Sequence, residues 1–354
     1  MVMEHNRPAK AFVMKIEAVE RAEFRFDRRY FFFCMHSALS QLLHFFKVKN
    51  ADLLIDVGWN CRLGTDDRLL LDLEPMIAWR RDAVRLTSCR VSEDYPRLWR
   101  KNVRSVAAGQ PVILGADYYE LAFHPRYHKQ HGAHAVLLYG VDEEKETAWI
   151  ADYNSPFVAY RGEIPLSDLQ RARLSVNAWN GSINSGGGIQ AACLELRPDR
   201  VRFLHGSVRD VAETLRGLKS NYFDRSNSRQ QGMGAVRFLC DGLETAGEET
   251  LAQCALRLHE QLLPLNEKKQ MLARYLEEAE TLPSLLDMLK PARERLEEIN
   301  ELWTTYDKVL LKIAYTPHAT QRLRQDALSL SEQALRRETE FGKLIEVSCK
   351  SLYG

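Results

Sequence analysis

The 354-residue chain has no stretch approaching the ~20 consecutive apolar residues of a membrane span. Its longest aromatic burst, Tyr30-Phe31-Phe32-Phe33, is far shorter, so no membrane association is expected. It has no excess of either charge. The 49 Lys and Arg against 48 Asp and Glu leave +1, which argues against a nucleic-acid partner held by a broad basic face. Met1 to Lys10 mixes Glu, His, Arg and Lys and shows neither a basic-then-apolar layout nor a small-residue cleavage site, so the expected compartment is the cytoplasm. No CxxC pair occurs. Cys34, Cys61, Cys89, Cys193, Cys240, Cys254 and Cys349 are scattered and odd in number, which fits neither a disulfide framework nor a zinc module. There is no internal repeat and no low-complexity tract.

What is present is ordinary globular material, 45% hydrophobic and 27% charged, in a chain long enough for two domains. Its character changes near residue 205. Before that point apolar runs are short and end at Gly, Pro, Asn or Asp. Val112-Ile113-Leu114, Ala135–Tyr139, Thr147–Ala151, Val158–Tyr160 and Ala191–Leu196 read as strands. The connection Val141–Lys145 reads as a hairpin, and Ser185-Gly186-Gly187-Gly188 as a loop without the context of a phosphate cradle. Cys34–Phe46 and Asp94–Ala108 carry helical stripes.

After residue 208 the pattern is helical. Leu289, Ala292, Leu296, Ile299, Trp303, Tyr306, Leu310 and Ile313 form one seam. Leu323, Ala327, Leu330, Ala334, Phe341, Leu344 and Ser348 form a second, interrupted at Arg337. Thr316-Pro317 separates them, predicting an antiparallel helical hairpin. Glu249–Leu263 and Glu267–Ala279 read as shorter helices. The expected fold class is therefore α+β: an antiparallel-sheet domain over residues 1–205 followed by an all-α domain over 206–354.

The residues that can carry chemistry lie in the first half. Cys34 stands where an extended aromatic run becomes a helix, and a first helical turn offers unpaired N–H groups and positive dipole to a thiolate. His134 precedes one strand and Asp152 ends the next. Pairing through the Val141–Lys145 turn brings both to one end of the sheet, with the acid able to orient the imidazole and stabilise its cation. A cysteine nucleophile facing a histidine and an acid is the papain-like arrangement. Asn154 is the second choice for the orienting role. His36 is a weaker base candidate because neighbouring helical positions diverge.

His124, His128, His131 and His134 together also suggest metal binding, but their spacing fits no common zinc layout, so no metal is expected. His124 and His128 read as exposed loop residues and His131 as lining the mouth of the site. Asp117-Tyr118-Tyr119 follows a strand, and Asp117 there serves either as a turn cap or as a substrate contact. Arg97, Arg100, Lys101 and Arg104 share a helical neighbourhood and read as a solvated face.

These motifs carry a family resemblance. Cys34-Met35-His36-Ser37-Ala38-Leu39, Gly109-Gln110-Pro111-Val112 leading to Asp117-Tyr118-Tyr119, His131-Gly132-Ala133-His134 leading to Gly140-Val141-Asp142, and the strand ending in Asp152 resemble, in order and spacing, the butirosin-biosynthesis H-type acyltransferases. That family is related in fold to papain-like and bacteriocin-leader cysteine peptidases. The helical half, with Trp303 and Arg336–Glu340, is similar to the domain that usually follows. The resemblance implies transfer of an acyl group from the phosphopantetheine thioester of an acyl or peptidyl carrier protein to a small-molecule amine in specialised-metabolite assembly. No resident cofactor is needed, since phosphopantetheine arrives with the substrate. Cys34 would be nucleophile, His134 base and Asp152 orienter, with Asp117, Tyr118, His131 and Asn154 around the substrate. Related peptidases place a glutamine before the nucleophile, and Phe26-Asp27-Arg28-Arg29-Tyr30 has none. A thioesterase, cyclase or amide hydrolase using the same three residues, or a non-catalytic binding protein, are the rival readings.

Overall fold

The structure, a computed structural model, describes residues 13–21, 34–55, 57–59, 61–64, 69–71, 84–89, 94–154, 158–175, 191–316 and 321–353. The Phe26–Tyr30 stretch, the Tyr30–Phe33 run and the Ser185–Gly188 loop lie outside them. In chain order the strands are β1 (Val13–Lys15), β2 (Cys61–Leu63), β3 (Leu69–Leu71), β4 (Val84–Cys89), β5 (Val112–Asp117), β6 (Ala133–Asp142), β7 (Thr147–Asp152), β8 (Tyr160–Pro165) and β9 (Ala191–Leu196). The α-helices are α1 (Glu17–Glu20), α2 (Cys34–Phe45), α3 (Tyr95–Ala107), α4 (Leu166–Leu174), α5 (Pro198–Val201), α6 (Val208–Leu218), α7 (Gly232–Thr245), α8 (Glu248–Ala279), α9 (Leu286–Tyr315) and α10 (Gln321–Tyr353). The fold class is α+β.

The described residues gather into two units. The first takes those of Met1–Arg29, Phe33–Val48 and Trp79–Leu204, the second those of Lys49–Ala78 and His205–Gly354. A single boundary at residue 205 leaves the Lys49–Ala78 segment on the other side.

The first unit is built on an antiparallel sheet of order β4-β9-β5-β6-β7-β8, with β1 also paired to β6. β6 lies at its centre, buried along almost its whole length, which is why it reads as a continuous apolar run rather than an alternating one. It is longer than the sequence pattern suggested, running to Asp142, so the connection to β7 is only Glu143–Glu146. Its first half pairs with β5, and Gly140–Asp142 pair with β1. The register against β7 shifts between Leu138 and Gly140. Gly140 permits this: a Cβ there would meet the Trp149 ring at 2.5 Å and the Met14 carbonyl oxygen at 3.0 Å. Helix α2 packs on β6 through Ala38, Leu39, Leu42 and Leu43, all essentially inaccessible. That face is the stripe visible in the sequence.

In the second unit α9 packs against α8 and α10. The α9 seam buries all eight residues expected of it. The α10 seam differs. Its buried positions include Ala327, Ser331, Ala334, Glu338, Phe341, Ile345 and Ser348, so polar Ser331 and charged Glu338 occupy places where Leu330 and an interruption at Arg337 were expected. Glu338 is tolerated there because Lys269 Nζ lies 2.6 Å from its Oε1, while Tyr222 Oη and Trp303 Nε1 each donate to the carboxylate at 2.6 Å. The two helices expected between 249 and 279 are one, α8, running through Pro264. Packing of Leu262 and Leu265, both fully buried, holds the helix across a residue that cannot donate its backbone bond.

Candidate active site

Strand register sets the geometry. His134 on β6 pairs with Ala116 on β5, and Leu137 with Ala151 of β7. Continuing that register places Asp152 opposite Val136, one diagonal step from His134 on the same face of the sheet. His134 Nε2 and Asp152 Oδ2 are 2.6 Å apart, and both side chains are 2% exposed. Cys34, the first residue of α2 and half-buried, hydrogen-bonds the same imidazole. With Nε2 engaged by Asp152, Nδ1 is the ring nitrogen left for sulfur. The structure therefore brings Cys34, His134 and Asp152 together in that order. Asn154 does not take the place beside the ring.

Burial pushes the His134 imidazole towards neutrality. The charge and hydrogen bond of Asp152, joined by Cys34, outweigh it and raise the pKa to about 10. The ring is thus a cation across the neutral range, facing a sulfur at a helix N-terminus.

A second contact fixes α2. Ser37, one turn along from Cys34, donates its hydroxyl to the carbonyl oxygen of Tyr153, the residue after Asp152. Gln41 in turn donates Nε2 to Ser37 Oγ at 3.3 Å. The spacing Cys34–Ser37 was visible in the sequence, but nothing there singled out a serine.

Four protein groups meet the buried Asp117 carboxylate. Oδ1 accepts from the N–H groups of Tyr119 and Gly132, both at 3.0 Å. Oδ2 accepts from Ser175 Oγ at 2.6 Å and lies 2.7 Å from His131 Nδ1. Burial works to raise its pKa, but the bonds from Ser175, Gly132, His131 and Tyr119 win and hold it below the ordinary carboxylate value. Asp117 thus caps the turn and closes the loop that leads into His134. His131 stacks on Tyr119 with centroids 3.9 Å apart and keeps an exposed edge.

His124 is not the exposed loop residue expected. It is 7% exposed, stacked on Tyr118 at 4.9 Å and edge-on to His134 at 4.8 Å. Burial first, then the charge on His134, depress its pKa to about 4, so it is neutral. Its Nδ1 accepts from the Arg126 N–H at 3.2 Å, which leaves the proton on Nε2. Tyr118 lies over Gly132, where a Cβ would meet the phenol oxygen at 2.1 Å, so this glycine in His131-Gly132-Ala133-His134 makes room for the aromatic wall of the site. His128 and His131 are the exposed members of the cluster, His128 stacked on Tyr127. Among the described residues no group of three or more His, Cys, Asp or Glu could hold a metal. On α3, Arg97, Arg100 and Arg104 are exposed, and Lys101 pairs with Glu195 at 3.0 Å.

Residues 79–153 match the family model described as Butirosin biosynthesis protein H, N-terminal. Over that stretch the chain is similar to the N-terminal domain of the butirosin-biosynthesis H family. The matched stretch contains Asp117, Tyr118, His131, His134 and Asp152, and it begins after Cys34. No curated protein matches the chain. No helix among the described residues is long and apolar enough to cross a membrane.

Proposed function

We propose that this chain is a cysteine-dependent acyltransferase. It takes an acyl group from the phosphopantetheine thioester of a carrier protein and delivers it to a small-molecule amine. The observation that carries this reading is the buried His134–Asp152 pair in hydrogen-bonding contact with Cys34 at the start of α2. The butirosin-biosynthesis domain match supports placing the reaction in specialised-metabolite assembly.

In the first step the Cys34 sulfur attacks the thioester carbonyl. A carbon–sulfur bond forms to Cys34, the bond to the pantetheine sulfur breaks, and His134 gives its proton to the departing thiolate. The imidazolium supplies the positive charge that anionic sulfur needs, and Asp152 holds that charge in place. The backbone N–H of Cys34, at the unpaired end of a helix, is the donor for the tetrahedral oxyanion. In the second step the amine attacks the acyl-enzyme, His134 takes a proton from nitrogen, and the Cys34 sulfur leaves. Thioester exchange is nearly balanced in energy, and amide formation draws the sequence forward. Tyr118 and His124 wall one side of the imidazole against water, which a transferase needs to limit hydrolysis.

Intact-protein mass spectrometry after incubation with an acylated carrier protein tests this. The parent gains the acyl mass, Cys34→Ala does not, and added amine discharges the adduct as an amide. Free acid as the only product under every condition overturns the transferase assignment.

A further inference from the structure

Three consecutive residues leave β7 beside the nucleophile helix. Asp152 gives its carboxylate to His134, and Tyr153 gives its carbonyl to the Ser37 hydroxyl of α2. Asn154 gives its side chain to nothing among the described residues. It is only 8% exposed, and its Oδ1 is buried with no hydrogen-bond partner. Its backbone is fixed, since its carbonyl accepts from the Val158 N–H at 2.9 Å. A buried carboxamide oxygen without a donor is a cost that native structures seldom carry without a purpose, and it disappears when a ligand brings an N–H to that point.

We infer that Asn154 is a specificity-determining residue that reads the amide of the pantetheine arm, its Oδ1 accepting the N–H that lies two carbons from the thioester sulfur. This rests on the acyl-thioester reading above and gives it a recognition element. The placement suits that role. The sulfur of the substrate must come to Cys34, Cys34 meets His134, and Asp152 and Asn154 are separated by one residue whose carbonyl is tied to the turn that follows Cys34. A thioester lacking the amide leaves the Asn154 oxygen unsatisfied, so the site discriminates by what it buries unpaired.

The experiment compares two small donors with the same acetyl group: S-acetyl-N-acetylcysteamine, and its isostere in which ester oxygen replaces the amide N–H. Acetylation rates of Cys34 are read from intact mass, using the whole protein and the Asn154→Leu and Asn154→Ser variants. The parent is expected to prefer the amide donor by about tenfold, the value of one neutral hydrogen bond at a buried acceptor. In both variants that preference collapses to near unity through loss of rate with the amide donor. No preference in the parent, a preference retained in the variants, or equal slowing with both donors overturns the assignment to Asn154 and leaves the acyl-enzyme standing. A parent acetylated by neither donor overturns both.

Discussion

Replacing Asp152 with asparagine removes one charge from a buried pair while keeping an oxygen where Oδ2 now lies 2.6 Å from His134 Nε2. The consequence can be sized from the imidazole. Burial favours the neutral ring, and the Asp152 charge and hydrogen bond, with Cys34, reverse that to a pKa of about 10 against an ordinary 6.5. At about pH 8 the parent ring is protonated in roughly 99% of molecules, whereas a ring returned to its ordinary value is protonated in roughly 3%. The first chemical step needs that proton for the leaving thiolate, so acylation at this pH slows on the order of 30-fold. The assay is the rate of Cys34 acetylation by S-acetyl-N-acetylcysteamine across the alkaline range. The parent profile turns down as pH rises through about 10, and the Asp152→Asn profile turns down below about 7. An unchanged alkaline limb in the variant would refute the claim that Asp152 holds the charge on the ring. Stability follows the same sign. A folded-state pKa raised above 6.5 stabilises the fold fully below that pH, and the contribution is lost as pH rises through about 10. Alkaline unfolding of the parent but not of Asp152→Asn should show this loss.

Gly132→Ala forces a methyl into the Tyr118 phenol, displacing the ring that stacks on His124. It should cost about 1–3 kcal/mol in urea unfolding and slow acylation, with Tyr118→Leu recovering the stability. Ser37→Ala leaves the Tyr153 carbonyl without its side-chain donor. It should lower stability by about 1–3 kcal/mol and reduce the acylation rate in protein that remains folded at low temperature. Glu338→Gln strands the buried Lys269 cation and should cost about 3–5 kcal/mol by urea titration, while Lys269→Met combined with Glu338→Gln costs less than the sum of the two changes.

The His134–Asp152 pair was legible because two neighbouring strands with a short connection leave few options. A histidine before one strand and an aspartate ending the next must meet at one sheet end, and they do. The α9 seam was legible for an equally local reason, since apolar residues recur at helical spacing without a break. The α10 seam was read as interrupted at Arg337 because nothing local marks charged Glu338 as a core position. Its partners Lys269, Tyr222 and Trp303 are distant in sequence, and only their convergence makes position 338 a core position. His124 was misread in the same way. Its burial depends on Tyr118 and His134 closing around it, and His124, His128 and His131 in a polar loop give no sign of which one turns inward. The role of Asp117 as the closure of that loop was within reach, because an acid that follows a strand and precedes two tyrosines is placed to bind the next backbone N–H groups.

The membership of Lys49–Ala78 in the second unit bears on the order in which a ribosome delivers the parts. Leu53, Trp59 and Cys61 are wholly inaccessible in the finished molecule. The Leu53 carbonyl is held by Tyr275 and the Gly58 carbonyl by Lys268, partners 222 and 210 residues downstream. During translation this greasy stretch emerges early and stays bare until nearly the whole polypeptide has been made. Splitting the gene after codon 204 therefore does not yield two self-sufficient halves. The leading product keeps an apolar tongue with nothing to cover it, the trailing one lacks part of its own interior, and co-expression of both is the condition under which either stays in solution.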